Sequence, residues 1–277
     1  SYFELTLLTG LALGGIIAAQ LFGTMQAGAF LVVAVVYLTC AAILFLSVEG
    51  TSGRNITHPI ADLKNVLRLP SIARLAPVWL CVNAVIGLWL GPTLPFLLTQ
   101  RAPNGQYLAG LFTAEPARVG WLLFGYALVF GAGVTAWSFV LPHVRLRVAL
   151  WISLGAMLPA CAGIYLLNHS AQQADAVRWT IGGFMALVIM IESGFTPAAL
   201  AWLAGSLPQQ SGRGAVMGVY SVLLSIGAIA GSLLAAVLGQ LYSIDGLLYG
   251  TVLAAALAVI FLRWVPDPRP HSLEQNA

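Results

Sequence analysis

The chain is 277 residues long, 60% of them hydrophobic, and carries only 12 basic and 9 acidic side chains, a charged fraction of 8%. A soluble domain carries about 25% charged residues, so this composition excludes an ordinary soluble enzyme. The net charge of +3 is scattered between apolar runs and forms no continuous basic patch, which excludes nucleic acid as a partner; lipid must solvate most of the protein.

In chain order, eight runs reach the roughly 20 residues that a helix needs to cross a hydrocarbon core: 5–25, 27–48, 75–99, 118–140, 148–168, 178–205, 215–241 and 247–265. They are rich in Leu, Ala, Val and Gly without the period-two alternation of barrel strands, so the expected fold class is an all-α polytopic membrane protein with eight transmembrane helices. The chain starts at Ser1 without a Met, and Glu4 stands where a signal peptide would carry Lys or Arg; the start reads as a truncation. Between the second and third runs, His58-Pro59 can open a short helix, with Ile60, Leu63 and Leu67 on one face and Asp62, Lys64 and Arg68 elsewhere. That pattern suits either an interfacial helix on the membrane surface or a plain charged linker. The expected division is 1–48 (two spans), 49–74 (linker), 75–265 (six spans) and 266–277 (tail).

With residue 1 in the cytoplasm, Arg54, Lys64, Arg68, Arg74, Arg145, Arg147, Arg213, Arg263 and Arg269 fall on the cytoplasmic side, against Arg101, Arg118 and Arg178 on the other. The positive-inside rule favours this orientation, so a multi-pass inner (plasma) membrane protein with both termini cytoplasmic is expected. Trp121, Trp151, Trp179, Trp202 and Trp264 lie near span ends, where an indole suits the headgroup level. Cys40, Cys81 and Cys161 fall inside apolar runs, an odd number without C-x-x-C spacing, and read as small buried apolar residues. His58, His143, His169 and His271 all fall in loops or tails, and no metal or nucleophile constellation can be assembled from them. Neither a catalytic group nor a cofactor is expected.

The seventh run carries small residues at steps of four and three: Gly214, Gly218, Ser221, Ser225, Ala228, Ser232, Ala235 and Gly239. Such a face lets backbones approach closely in lipid, as a static packing surface or as a seam that slides. Gly10 with Gly14, Gly87 with Gly91 and Gly246 with Gly250 repeat the spacing. Glu192 is the only acidic residue inside an expected span, about 21 Å of helix beyond Arg178, where insertion of a charge costs about 2.5–3.5 kcal/mol. It can stay protonated and hydrogen-bonded to a neighbouring helix, pair with a cationic substrate, or exchange a proton. Pro197 removes a backbone donor and predicts a kink near Gly194. Gly91, Pro92 and Pro95 likewise break the third run, with Asn83 and Trp89 deeper in it. Broken helices at membrane depth are tolerated mainly where backbone is buried in protein or lines a cavity.

Two spans, a basic linker and six further spans, with Arg213-Gly214 leading into a run containing Gly218, Gly227 and Gly231, resemble the last eight helices of a twelve-helix major facilitator superfamily transporter. The 138–147 loop matches the family's pattern only at Arg147, and Gly10, Gly14 and Gly15 are followed by Ile16 where drug antiporters of the family often have Pro. The resemblance implies missing upstream helices and a small organic solute moved by alternating access, with protons as a coupling partner. It also implies that the two broken runs line the cavity, together with Gln20, Tyr126, Thr196 and Tyr220. A transporter-like sensor or scaffold is the alternative, and it would have no cavity between the broken helices.

Overall fold

The structure, a computed structural model, describes residues 10, 13–18, 20, 21, 24–47, 69–100, 105–206 and 213–266. Among these residues every regular element is helical: α1 Gly28–Ser47, α2 Pro70–Leu90, α3 Thr93–Thr99, α4 Arg118–Val140, α5 Leu146–Asn168, α6 Asp175–Glu192, α7 Phe195–Ser206, α8 Arg213–Tyr242 and α9 Ile244–Leu262. A 3-10 turn, Leu141–His143, joins α4 to α5. Seven spans among the described residues are long and apolar enough to cross a membrane, α2 with α3 and α6 with α7 each making one of them. The protein is therefore an all-α polytopic membrane protein. About half of the first expected run, 5–25, lies outside the described residues, and the expected interfacial helix from His58 to Arg68 lies wholly outside them.

Proline acts differently from site to site. Pro77 and Pro159 sit inside α2 and α5, which continue through them, whereas the chain breaks at Gly91-Pro92. Gly91 is extended there (φ −73°, ψ 174°), the conformation that a following proline ring favours. Pro95 falls in the first turn of α3 and Pro197 in the first turn of α7, where the backbone N–H groups lack intrahelical acceptors in any case.

Helices α2 and α8 run parallel in close contact because small residues meet along them. A Cβ added to Gly87 would fall on the Ala228 carbonyl, one on Gly231 would fall on the Ala84 carbonyl, and one on Gly227 would meet Asn83 and Leu80. Ser232 Oγ donates to the Gly87 carbonyl at 3.2 Å. The contact is rotated from the expected stripe. Gly227, Gly231, Ala235 and Gly239 are buried, Gly218, Ala228 and Ser232 lie at the margin, and Ser221 and Ser225 are exposed. A strict alternation of four and three averages 3.5 residues and drifts around a 3.6-residue helix by about 20° per heptad. The closest approach then settles on the glycines. The backbone of α8 includes Gly214, but its side-chain surroundings lie outside the described residues. Gly10 and Gly14 have open space where a Cβ would stand.

Helix α9 closes the group, with Gly246 against the Leu238 backbone and Gly250 against Leu88. One core cluster joins Ile72, Trp79, Leu150, Phe195, Ala198, Trp202, Tyr220 and Ala258; a second, towards the far end where α4 and α9 begin, joins Leu88, Leu98, Val119 and Leu247. Trp202, expected at the headgroup level, is 1% exposed in the first cluster, because α7 turns that face into the core it shares with α5 and α2. Trp121, Trp179 and Trp264 are exposed, and Trp151 is half-buried. Helix α1 presents its apolar side chains outwards along most of its length, with Phe45 87% exposed. Cys40 is consequently exposed rather than buried, while Cys81 is half-buried and Cys161 buried.

A polar network ties the far end together. Asp245, in the first turn of α9, accepts from Asn168 Nδ2 at 2.9 Å and Gln106 Nε2 at 3.2 Å, with His169 Nε2 at 3.0 Å. Gln106 Nε2 also donates to the Tyr242 carbonyl, and Gln106 Oε1 accepts from the Ile244 N–H. Asn168 Oδ1 accepts from the Leu108 N–H. The α3–α4 loop, the end of α5 and the α8–α9 turn are thereby joined at one carboxylate. An acidic group in a first turn is also favoured by the helix dipole.

Candidate functional site

Glu192 is the last residue of α6 and is half-buried. Its carboxylate lies within electrostatic range of the Tyr126 phenol on α4 and the Cys161 thiol on α5. Three helices thus converge on the acidic group that sequence reasoning singled out. Tyr126 also packs against Phe130, ring centroids 5.7 Å apart. Thr196 is half-buried in the first turn of α7, just beyond the break.

The α6–α7 elbow has a defined construction. Ser193 N–H donates to the Ile189 carbonyl at 2.9 Å and Gly194 N–H to the Ile191 carbonyl at 3.3 Å. Ser193 Oγ adds a bond to the Met190 carbonyl at 2.8 Å. The indole N–H of Trp137, from α4, is shared between the carbonyls of Met190 at 3.2 Å and Ile191 at 3.1 Å. Carbonyls released at a helix end need partners when water is absent, and the indole supplies one. There is no slack in the joint: a Cβ on Gly194 would enter the Trp137 ring, and one on Gly133 would meet Ser193 Oγ and the Met190 backbone.

The remaining candidates lie elsewhere. Asn83 is 2% exposed on α2 against Gly227, and its Nδ2 has no hydrogen-bond partner. Trp89 donates its indole N–H to Thr251 Oγ1 at 2.8 Å, across to α9. Tyr220 is 5% exposed in the core, edge-on to Trp79 at 5.5 Å. These three belong to the α2–α8–α9 interior. Gln20 is exposed. The two breaks are sealed by different helices, 91–92 by α8 through Ser232 and 193–194 by α4 through Trp137. Among the described residues no group of three His, Cys, Asp or Glu side chains could hold a metal.

The sequence signature of the Major Facilitator Superfamily matches residues 90–277. The chain belongs to the Major Facilitator Superfamily. It is a membrane transporter of that superfamily, a family of transporters rather than enzymes. The match takes in α3 to α9 and begins at the last residue of α2. No curated protein and no solved structure matches the chain significantly.

Two groups at this superfamily member's breaks and ends were not legible as site residues. Trp137 read as one more apolar residue in a span, and only its i−4 neighbour Gly133 hinted at a close crossing. Asp245 falls between the expected runs 215–241 and 247–265, where an acidic residue needs no explanation, and it is the structure that puts it in the first turn of α9. In chemical terms, a phenol and a thiol, each able to donate or accept a hydrogen bond, lie within electrostatic range of the Glu192 carboxyl at a helix end. That set can bind a polar or cationic group, or exchange a proton.

Proposed function

We propose that the chain is the C-terminal portion, family helices 5 to 12, of a secondary active transporter that moves a small organic solute by alternating access and couples it to protons at Glu192. The convergence of Tyr126 and Cys161 on Glu192 beside the α6–α7 elbow carries the reading, because an ionisable group at membrane depth is costly unless it serves transport or a proton relay. Thr196 and the unpaired Asn83 Nδ2 are the further candidates for solute contact. The outward-facing apolar surface of α1 suits packing against missing upstream helices of the same protein, so 1–48 is read as part of an N-terminal bundle and 75–265 as the six-helix C-terminal one. The nine-to-three distribution of basic residues supports an inner-membrane location with both termini cytoplasmic.

The test is Glu192→Gln in the intact transporter, after a solute-uptake screen has identified a transported compound. Loss of the pH-gradient dependence with solute binding retained is the expected outcome. Transport that remains equally pH-driven would remove Glu192 from the mechanism.

A further inference from the structure

We propose that Trp137 is a positioning residue: its indole N–H holds the peptide plane between Ile191 and Glu192, and so sets both the direction of the Glu192 side chain and the angle between α6 and α7. The proposal rests on the reading of Glu192 as the coupling group.

Three observations carry it. The carbonyl of Ile191 belongs to the peptide bond that leads into Glu192, so the bond from Trp137 Nε1 at 3.1 Å restrains the rotation of that plane and with it φ of Glu192. In an uninterrupted helix the Met190 and Ile191 carbonyls would accept from residues 194 and 195; here Gly194 donates to Ile191 instead, Ser193 Oγ donates to Met190, and the indole N–H reaches both carbonyls from α4. The joint is also sterically specific. Gly194 lies flush on the indole, and Gly133, one turn before Trp137 on α4, admits Ser193 and Met190. Trp137 itself is 8% exposed, so its N–H is shielded from competing solvent.

The same face of α4 carries Tyr126, Phe130, Gly133 and Trp137 at steps of four, three and four, so one helix contacts the elbow and approaches the carboxyl. The two halves of the elbow share α5 as a neighbour and differ in what else they touch. Helix α6 packs on α5, where Gly163 meets Met185, and on α4, while α7 also packs on α5 and contributes Phe195, Ala198 and Trp202 to the cluster shared with α5 and α2. Any change in the angle between α6 and α7 must pass through Ser193-Gly194, where Trp137 is the clamp. A donor shared between two carbonyls can favour either one as the elbow flexes, which keeps the end of α6 paired throughout.

The experiment uses the purified full chain in detergent with two readouts that need no solute. Amide hydrogen exchange followed by mass spectrometry reports on residues 189–198. Dicyclohexylcarbodiimide, a probe that modifies carboxyl groups in apolar surroundings, reports on Glu192 as a function of pH. In Trp137→Phe, which keeps a ring and removes the N–H, exchange over 189–198 should rise about fivefold, as expected for one lost hydrogen bond, with α9 unchanged. The midpoint of the Glu192 labelling profile should move by about half a pH unit or more. Wild-type behaviour in both readouts overturns the proposal. Faster exchange with an unmoved labelling profile also overturns it, since Trp137 would then stabilise the joint without positioning the carboxyl. Should Trp137→Phe fail to fold, Gly194→Ala, whose Cβ displaces the indole, is read by the same criteria. If Glu192→Gln leaves transport coupling intact while Trp137→Phe moves the labelling profile, the coupling reading falls and the positioning role stands.

Discussion

Replacing Asp245 by Leu removes the acceptor shared by three connections at the far end of the bundle. The three donors do not weigh equally. Asn168 is fully buried, at 0% exposed, and its Nδ2 has Asp245 Oδ1 as its acceptor; without it, a buried amide is stranded at about 1–3 kcal/mol. Gln106 Nε2 retains the Tyr242 carbonyl, so its loss is smaller. The His169 side chain is 40% exposed and finds water, so its pairing with Asp245 is discounted for screening. Burying a leucine in place of a charged group returns part of the cost, which leaves a net destabilisation of about 2–4 kcal/mol. In a protein of this size that lowers the apparent Tm by about 5–10 °C, readable by thiol-reactive dye melting in detergent. The double variant Asp245→Leu with Asn168→Leu removes donor and acceptor together and should lose less than the sum of the single variants. Strict additivity, or a Tm unchanged in Asp245→Leu, would refute the idea that one carboxylate holds the far end together.

The α2–α8 seam is tested by a pair of substitutions: Gly231→Ala drives a Cβ into the Ala84 carbonyl and should cost about 1–3 kcal/mol of overpacking, whereas Ser225→Ala, on an exposed face, should stay within about 0.5 kcal/mol. Equal effects on apparent Tm would return the packing face to the unrotated stripe. Thr251→Val removes the acceptor of the Trp89 indole with little change of shape and should cost about 1–2 kcal/mol; Thr251→Ser should recover most of the loss, and a Val variant as stable as the wild type would show that the bond between α2 and α9 contributes nothing.

The amount of local information decided what could be read in advance. Helical spans are legible because a hydrocarbon core demands about 20 apolar residues whatever surrounds them, and the described spans from Gly28 to Leu262 follow those runs. Prolines announce a missing donor wherever they stand, yet Pro77 and Pro159 leave their helices continuous while Gly91-Pro92 separates two. At that break Gly91 is extended and Ser232 meets it from α8. Tyr220 and Trp202 show the reverse limitation. Each has a residue type suited to a cavity or a headgroup region, and each is buried because of which face its helix turns inwards.

The sequence by itself determined the solvent and the helical class, because scarce charge and long apolar runs are properties summed along the chain, and the order of its spans with the Arg213-Gly214 motif carried the resemblance to the superfamily. It also isolated Glu192, since a single acid in an apolar run is visible without neighbours. Tertiary structure alone decided which face of α8 meets α2, that Asp245 gathers three connections, and that Trp137 supplies the donor for the elbow next to Glu192. Those outcomes depend on pairs of residues far apart in the chain, such as 137 with 191 and 168 with 245. Partner choice at that distance is set by how closely two backbones can approach and by which stranded polar group each one leaves to be satisfied.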